Sequence, residues 1–119
     1  MFENVKDGLN FTNSQTGEKI IFHRKTWLYS IFGILTHYLR YKNEYAKKLI
    51  DEANLCSDQN LDFYSVAMLC HEEEYHWAMI IAHGEYYWNK GFNIELPDNY
   101  DEWLDNYRKT FNLNASTCD

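Results

Sequence analysis

Apolar residues recur at helical spacing through two long stretches of the chain. From Thr26 to Ala53, one side carries Trp27, Leu28, Ile31, Ile34, Leu35, Tyr38, Leu39, Tyr45, Ala46, Leu49 and Ile50. Tyr29, Ser30, Thr36, Arg40, Asn43, Glu44, Lys47 and Lys48 fall on the other. This spacing predicts one long helix with Thr26 at its N-cap and Gly33 on its polar side, where a kink would fall. From Asn60 to Gly91 there are two apolar stripes. One holds Val66, Leu69, Cys70, Trp77, Ile80, Ile81, Gly84 and Trp88; the opposite one holds Met68, Tyr75, Met79, Ala82 and Tyr86. A helix apolar on two sides is usually covered on two sides, so this stretch reads as the central helix. Ser57 or Asp58 would cap its start, and Lys90 and Gly91 would close its end. The short link at 54–59 implies that the two long helices run antiparallel.

Shorter patterns flank this pair. Leu9 and Phe11 alternate with polar residues, Asn13–Gly17 supplies turn chemistry, and Ile20, Ile21 and Phe22 return, which predicts a β-hairpin over Leu9–His23. Pro97 and Asp98 open a third helix to Phe111, with Tyr100, Trp103, Leu104, Tyr107 and Phe111 on its buried side. The expected fold is mainly α, of the α+β kind. It comprises an antiparallel pair of long helices, a C-terminal helix and an N-terminal hairpin, in one domain over residues 1–112. Residues 113–119 read as a flexible tail. Each long helix has one charge inside an apolar stripe, Lys42 in the first and Glu73 in the second. Their heights match in an antiparallel pair, so a cross-helix ion pair is expected, weighed against a Lys42 that extends its ammonium to water.

Composition adds compartment and charge. Ten tyrosines and an aromatic share of 18% exclude a disordered chain. Met1–Lys6 has no apolar core of a secretory signal, and the uncharged run Thr26–Leu39 is too short and too polar to span a bilayer. Three cysteines, Cys56, Cys70 and Cys118, show no framework spacing, which leads to the expectation of reduced thiols in the cytoplasm. The net charge of −7 is uneven: the first fifty residues carry eight basic and four acidic side chains, the remainder three and fourteen. Such a second half repels nucleic acid and anionic membranes and attracts basic partners.

Three constellations bear on chemistry. His71-Glu72-Glu73-Glu74-Tyr75-His76 has its histidines five apart, whereas the zinc-protease pattern needs them four apart to share a helix face. Glu73 and His76 have the spacing of half a di-metal carboxylate site, without a second half in the chain. Glu72, Glu73, His76 and His83 therefore define the alternative reading, a small helical metalloprotein or enzyme. Its bland counterpart, histidines bonded to tyrosines and carboxylates, carries more weight, so no metal or cofactor is expected. Cys70 beside His71 does not make a nucleophile, because adjacent helix residues point apart. The third constellation is acidic: Asp98, Asp101, Glu102 and Asp105 share one side of the third helix. A solvated face explains such a stripe as well as a docking surface does, and helix N-termini favour acids. Asp105, however, lies beyond the first turn.

The segments His83-Gly84-Glu85-Tyr86-Tyr87-Trp88 and Tyr100-Asp101-Glu102-Trp103-Leu104, in a short acidic chain rich in tyrosine and tryptophan, resemble bacterial immunity proteins. The similarity is to those of contact-dependent growth inhibition and related polymorphic-toxin systems. It implies a cytoplasmic, non-enzymatic protein that binds and neutralises a cognate toxin domain, often a basic nuclease, without itself binding nucleic acid or membrane. On the reading of the residues themselves, the expected partner contacts are Asp98, Asp101, Glu102 and Asp105, with Glu72, Tyr75 and Tyr86 from the central stretch. A plain adaptor whose acidic face serves solubility is the third reading.

Overall fold

A computed structural model describes residues 2–53 and 61–119. The elements are β1 (Leu9–Thr12), β2 (Lys19–Phe22), α1 (Arg24–His37), α2 (Asn43–Glu52), α3 (Phe63–His71), α4 (Glu74–His83), a 3-10 helix at Tyr87–Lys90, and α5 (Tyr100–Thr110). The protein is mainly α with one hairpin, as the hydrophobic pattern predicts. Ser57 and Asp58, the expected helix caps, and Cys56 lie outside the described residues.

The hairpin pairs antiparallel with Leu9 opposite Phe22 and Thr12 opposite Lys19. Its turn is set by Asn13, whose side-chain oxygen accepts from the Gln15 and Thr16 amides (2.9 and 3.4 Å), the local bonding that suits Asn to turns. A short hairpin is marginal alone, and here α3 packs on both strands.

The two long helices of the sequence reading are both interrupted. The first breaks at 38–42, not at Gly33. Arg40 takes a left-handed conformation (φ 63°), and Lys42 is extended at the N-cap of α2. The second breaks at Glu72–Glu73, both extended, and again at Gly84–Tyr86. α3 is started by a reciprocal capping box, the Asp62 carboxylate accepting from the Ser65 amide and the Ser65 hydroxyl from the Asp62 amide.

These breaks change which helix is central. α1 is buried along nearly its whole length, Ser30, Thr26 and Gly33 included, with α2, α4 and α5 packed against it. Gly33 faces α5, where an added Cβ would stand 2.5 Å from the Tyr107 ring. The Tyr107 hydroxyl donates to the Tyr29 carbonyl (2.7 Å), which holds that ring across α1. Thr26 is not the N-cap. His23 is, without a side-chain cap bond, and Asp7 serves from outside by accepting from the Thr26 amide and hydroxyl (2.9 Å each).

Residues 113–119 do not fray. Asn114 bonds Thr26 and Asp7, and residues 117–119 run along β2, with the His23 amide donating to the Thr117 carbonyl (2.7 Å) and Ile21 and Asp119 exchanging backbone bonds (3.0 and 2.9 Å). The Gly8 amide donates to His23 Nδ1, so Nε2 carries the proton and donates to Asp119 (2.8 Å). Cys118 bridges Phe22 and forms a disulfide with Cys70 at the end of α3 (Cα–Cα 6.0 Å). This corrects the expectation of reduced thiols at those two positions. The pairing follows from docking residues 113–119 between β2 and α3, which spacing alone does not reveal. Closing a 48-residue separation restricts the unfolded chain by roughly 4 kcal/mol in the chain-entropy account. Among the described residues, no helix is long and apolar enough to cross a membrane.

Candidate protein-binding site

The break after α3 decides where three consecutive glutamates point. The backbone is extended at Glu72 and Glu73, and both residues are exposed. Glu74 opens α4, where an acid suits the helix dipole, and turns inward instead. There it meets Arg108 of α5. Arg108 Nη2 donates to Glu74 (3.2 Å) and to the Thr117 hydroxyl (3.0 Å), Nη1 to the Ala115 carbonyl (3.0 Å), and Nε to Ser30 (3.2 Å). The Thr117 hydroxyl donates to the same Glu74 oxygen. All four side chains are buried, so the guanidinium and its acceptors join α1, α4, α5 and residues 115–117 in one satisfied network.

Lys42 and Glu73, the expected cross-helix pair, are both exposed, and no ion pair joins them. The buried acid is one residue later, and its partner is Arg108. Burial by surrounding protein, then the neighbouring charges of Glu74 and Asp101, raise the Glu73 carboxyl above its ordinary value, with Arg108 opposing.

The second break builds an aromatic shelf. Gly84 (φ 89°), Tyr86 (φ 59°) and Gly91 (φ 94°) carry the positive φ angles that turn the chain around the 3-10 helix. Lys90 Nζ donates to the His83 carbonyl (2.9 Å), satisfying an end of α4. Tyr87 is buried and joined to His76 Nδ1 (2.8 Å). Trp88 stacks on His76 (6.0 Å, 23°) and meets Tyr86 edge-on (5.5 Å), while Phe92 stacks on His83 (3.7 Å, 9°). Tyr86, Trp88, Phe92, Ile94 and Leu96 are nevertheless exposed, at 61, 38, 39, 53 and 41%.

Three hollows follow one another along this side. The first, about 450 Å³, lies between the α3–α4 joint and the shelf, lined by His71, Glu72, Glu73, Tyr75, His76, Trp88, Ile94 and Leu96. The second, about 300 Å³, shares Trp88 and adds Trp77, Ile80, Glu85 and Tyr86. The third, about 290 Å³, shares Glu73 and holds Asp101 and Asp105 over a floor of Arg108 and Thr117. A smaller one of about 200 Å³ reaches from Glu72–Glu74 to the Cys70–Cys118 disulfide.

Of the contact residues expected from sequence, Glu72 and Tyr75 line the first hollow, Tyr86 the second, and Asp101 and Asp105 the third. Tyr75 is only 9% exposed, so it forms wall and not reach. Asp98 and Glu102 are exposed but line none of these hollows. Asp105 bonds Lys109 (2.9 Å), so the acidic stripe is partly neutralised at its far end. Glu72, Glu73 and His76 of the alternative metal reading share the first hollow. His83 does not, being stacked on Phe92, and burial and then Lys90 lower its proton affinity. No group of three or more His, Cys, Asp or Glu among the described residues is arranged to hold a metal ion.

Sequence reasoning missed Trp88, Ile94 and Leu96 as surface residues. The signal was present: Phe92, Ile94 and Leu96 alternate with Asn93 and Glu95, a strand pattern, yet among the described residues no strand pairs with them. Comparison with protein-family models, curated proteins and solved structures found no match.

Proposed function

We propose that this chain is a non-enzymatic immunity protein that binds and neutralises a cognate basic toxin domain, of nuclease type, by covering its active site or substrate surface. One observation carries the reading. Exposed apolar anchors at Tyr86, Trp88, Ile94 and Leu96 adjoin exposed carboxylates at Glu72, Glu73 and Asp101 along one run of hollows. Aromatic anchors rimmed by charge are what protein interfaces use, and one sign of charge steers an opposite partner. Asp98 and Glu102, outside the hollows, belong to that steering rim. The resemblance of the two aromatic segments to immunity proteins supplies the partner class.

Such a protein acts in the cytoplasm of the cell that makes it. The Cys70–Cys118 disulfide supports a second location for the same encounter, an oxidising compartment where cystines persist. Thiol counting on protein trapped at lysis decides between them.

The test is a purified basic toxin domain encoded beside this chain, titrated against it and assayed for nuclease activity. Stoichiometric binding that weakens with salt and abolishes activity is expected. Reversing Asp98 and Glu102 to Lys should slow association roughly tenfold without altering the fold. No complex and undiminished nuclease activity would remove the reading.

A further inference from the structure

The hollow between the α3–α4 joint and the aromatic shelf combines acidic and apolar lining. Glu72 and Glu73 are consecutive exposed carboxylates that no cation pairs with among the described residues. The same hollow is lined by Trp88, held against His76, and by the exposed aliphatic side chains of Ile94 and Leu96. Its volume of about 450 Å³ is within the range of clefts that hold small ligands. Apolar lining accepts an aliphatic stem, an indole face attracts a cation, and a carboxylate accepts a planar fork of N–H donors.

We propose that this hollow is the socket for one arginine side chain of the partner protein. Its stem lies along Ile94 and Leu96, and its guanidinium sits between Trp88 and the carboxylates of Glu72 and Glu73. The assignment deepens the immunity reading and rests on it for the identity of the partner. Arginine is favoured over lysine because the guanidinium stacks on an aromatic face and bonds carboxylates bidentately, whereas an ammonium is a compact and strongly hydrated charge.

The probe is a blocked Gly-Arg-Gly peptide at isotonic salt, titrated into the full-length ¹⁵N-labelled chain. The indole N–H of Trp88 is followed, assigned by its loss in Trp88→Phe. Lysine and norleucine versions of the peptide serve as comparison. A saturating shift with the arginine peptide is expected, several-fold weaker saturation with lysine, and none with norleucine. The exposed pair Glu72→Gln with Glu73→Gln should weaken the arginine peptide roughly tenfold, with an unchanged spectrum elsewhere. Equal response to norleucine, equal affinity for lysine, no saturation, or an unaffected double variant would each overturn the socket. Neutralisation of the toxin domain is a separate readout. Its survival alongside a failed peptide titration removes the socket alone, and its absence alongside a successful titration removes the immunity reading alone.

Discussion

α1 and the stretch from Leu61 to Leu96 have similar apolar content and opposite fates. Both present apolar residues on more than one side of a helix. α1 is surrounded by α2, α4 and α5, and even its serine, threonine and glycine are buried. The later stretch is divided into α3, α4 and the 3-10 helix, and it leaves Met68, Tyr86, Trp88, Ile94 and Leu96 in contact with solvent. Apolarity on two faces therefore does not identify the enclosed helix. What separates the two is charge. α1 has none between Lys25 and its last residue, His37, whereas the other stretch has three adjacent carboxylates in its middle. Only one of those, Glu74, finds a buried partner.

The largest test of this contrast is Arg108→Met. It strands Glu74 in the interior, and breaking one side of a buried pair costs about 3–5 kcal/mol. Adding Glu74→Gln should return part of that loss. Urea unfolding measures both, and a loss in Arg108→Met no greater than that of an exposed lysine would mean that the network does not hold the second stretch to α1.

Gly33→Ala probes the enclosed side of the comparison. In an open helix this change would help, by up to about 1 kcal/mol. Against a Tyr107 ring 2.5 Å from the new methyl and fixed by its bond to Tyr29, overpacking of about 1–3 kcal/mol should win. A lower thermal midpoint is expected, with a smaller loss when Tyr107→Leu is made first. A raised midpoint in the single variant would show that α5 does not press on α1 as described.

The smallest effect falls on the exposed side. Glu73 has its carboxyl raised in the fold, chiefly because neighbouring protein displaces part of its water and then by Glu74 and Asp101. A raised carboxyl favours folding when protonated, and its contribution is lost as pH climbs through the folded value. Glu73→Gln should therefore stabilise at neutral pH, by a few tenths of a kcal/mol because the group is exposed. The gain should shrink to nothing below the ordinary value of about 4.3. A gain that persists in acid would show that charge is not its cause.

Local patterns were legible in the sequence where local chemistry decides the outcome. The hairpin follows from alternation around Asn13, and α5 from the spacing of Tyr100, Trp103, Leu104 and Tyr107, although it starts at Tyr100 and not at Pro97–Asp98, and Phe111, expected on the same buried side, is exposed. The breaks were not legible, since the apolar spacing runs through them without interruption. At Glu72–Glu73 tertiary packing enters: Arg108, from α5, pairs with Glu74, while Glu73 stays exposed. Lys42 and Glu73 were paired by height on two unbroken helices, and neither helix is unbroken. The abundance of tyrosine was informative mainly about packing. Tyr75, Tyr87 and Tyr100 are buried, and Tyr38, Tyr75 and Tyr100 lie in mutual ring contact. Of the residues that line the hollows, Glu72, Tyr75, Tyr86, Asp101 and Asp105 were named from the sequence, Asp98 and Glu102 line none of them, and the aromatic shelf depends on how the chain turns at Gly84 and Gly91.

The disulfide has one further consequence, for the integrity of the chain. Cys70 and Cys118 enclose α4, the aromatic shelf and α5, and with them all three successive hollows. A protease that severs any exposed bond between these cysteines, for instance at the surface segment 92–96, yields two fragments that remain one molecule. Both fragments, and with them the lining of all three hollows, then stay tethered to the same hairpin and to α1. The fragments part only where a reductant also opens the disulfide.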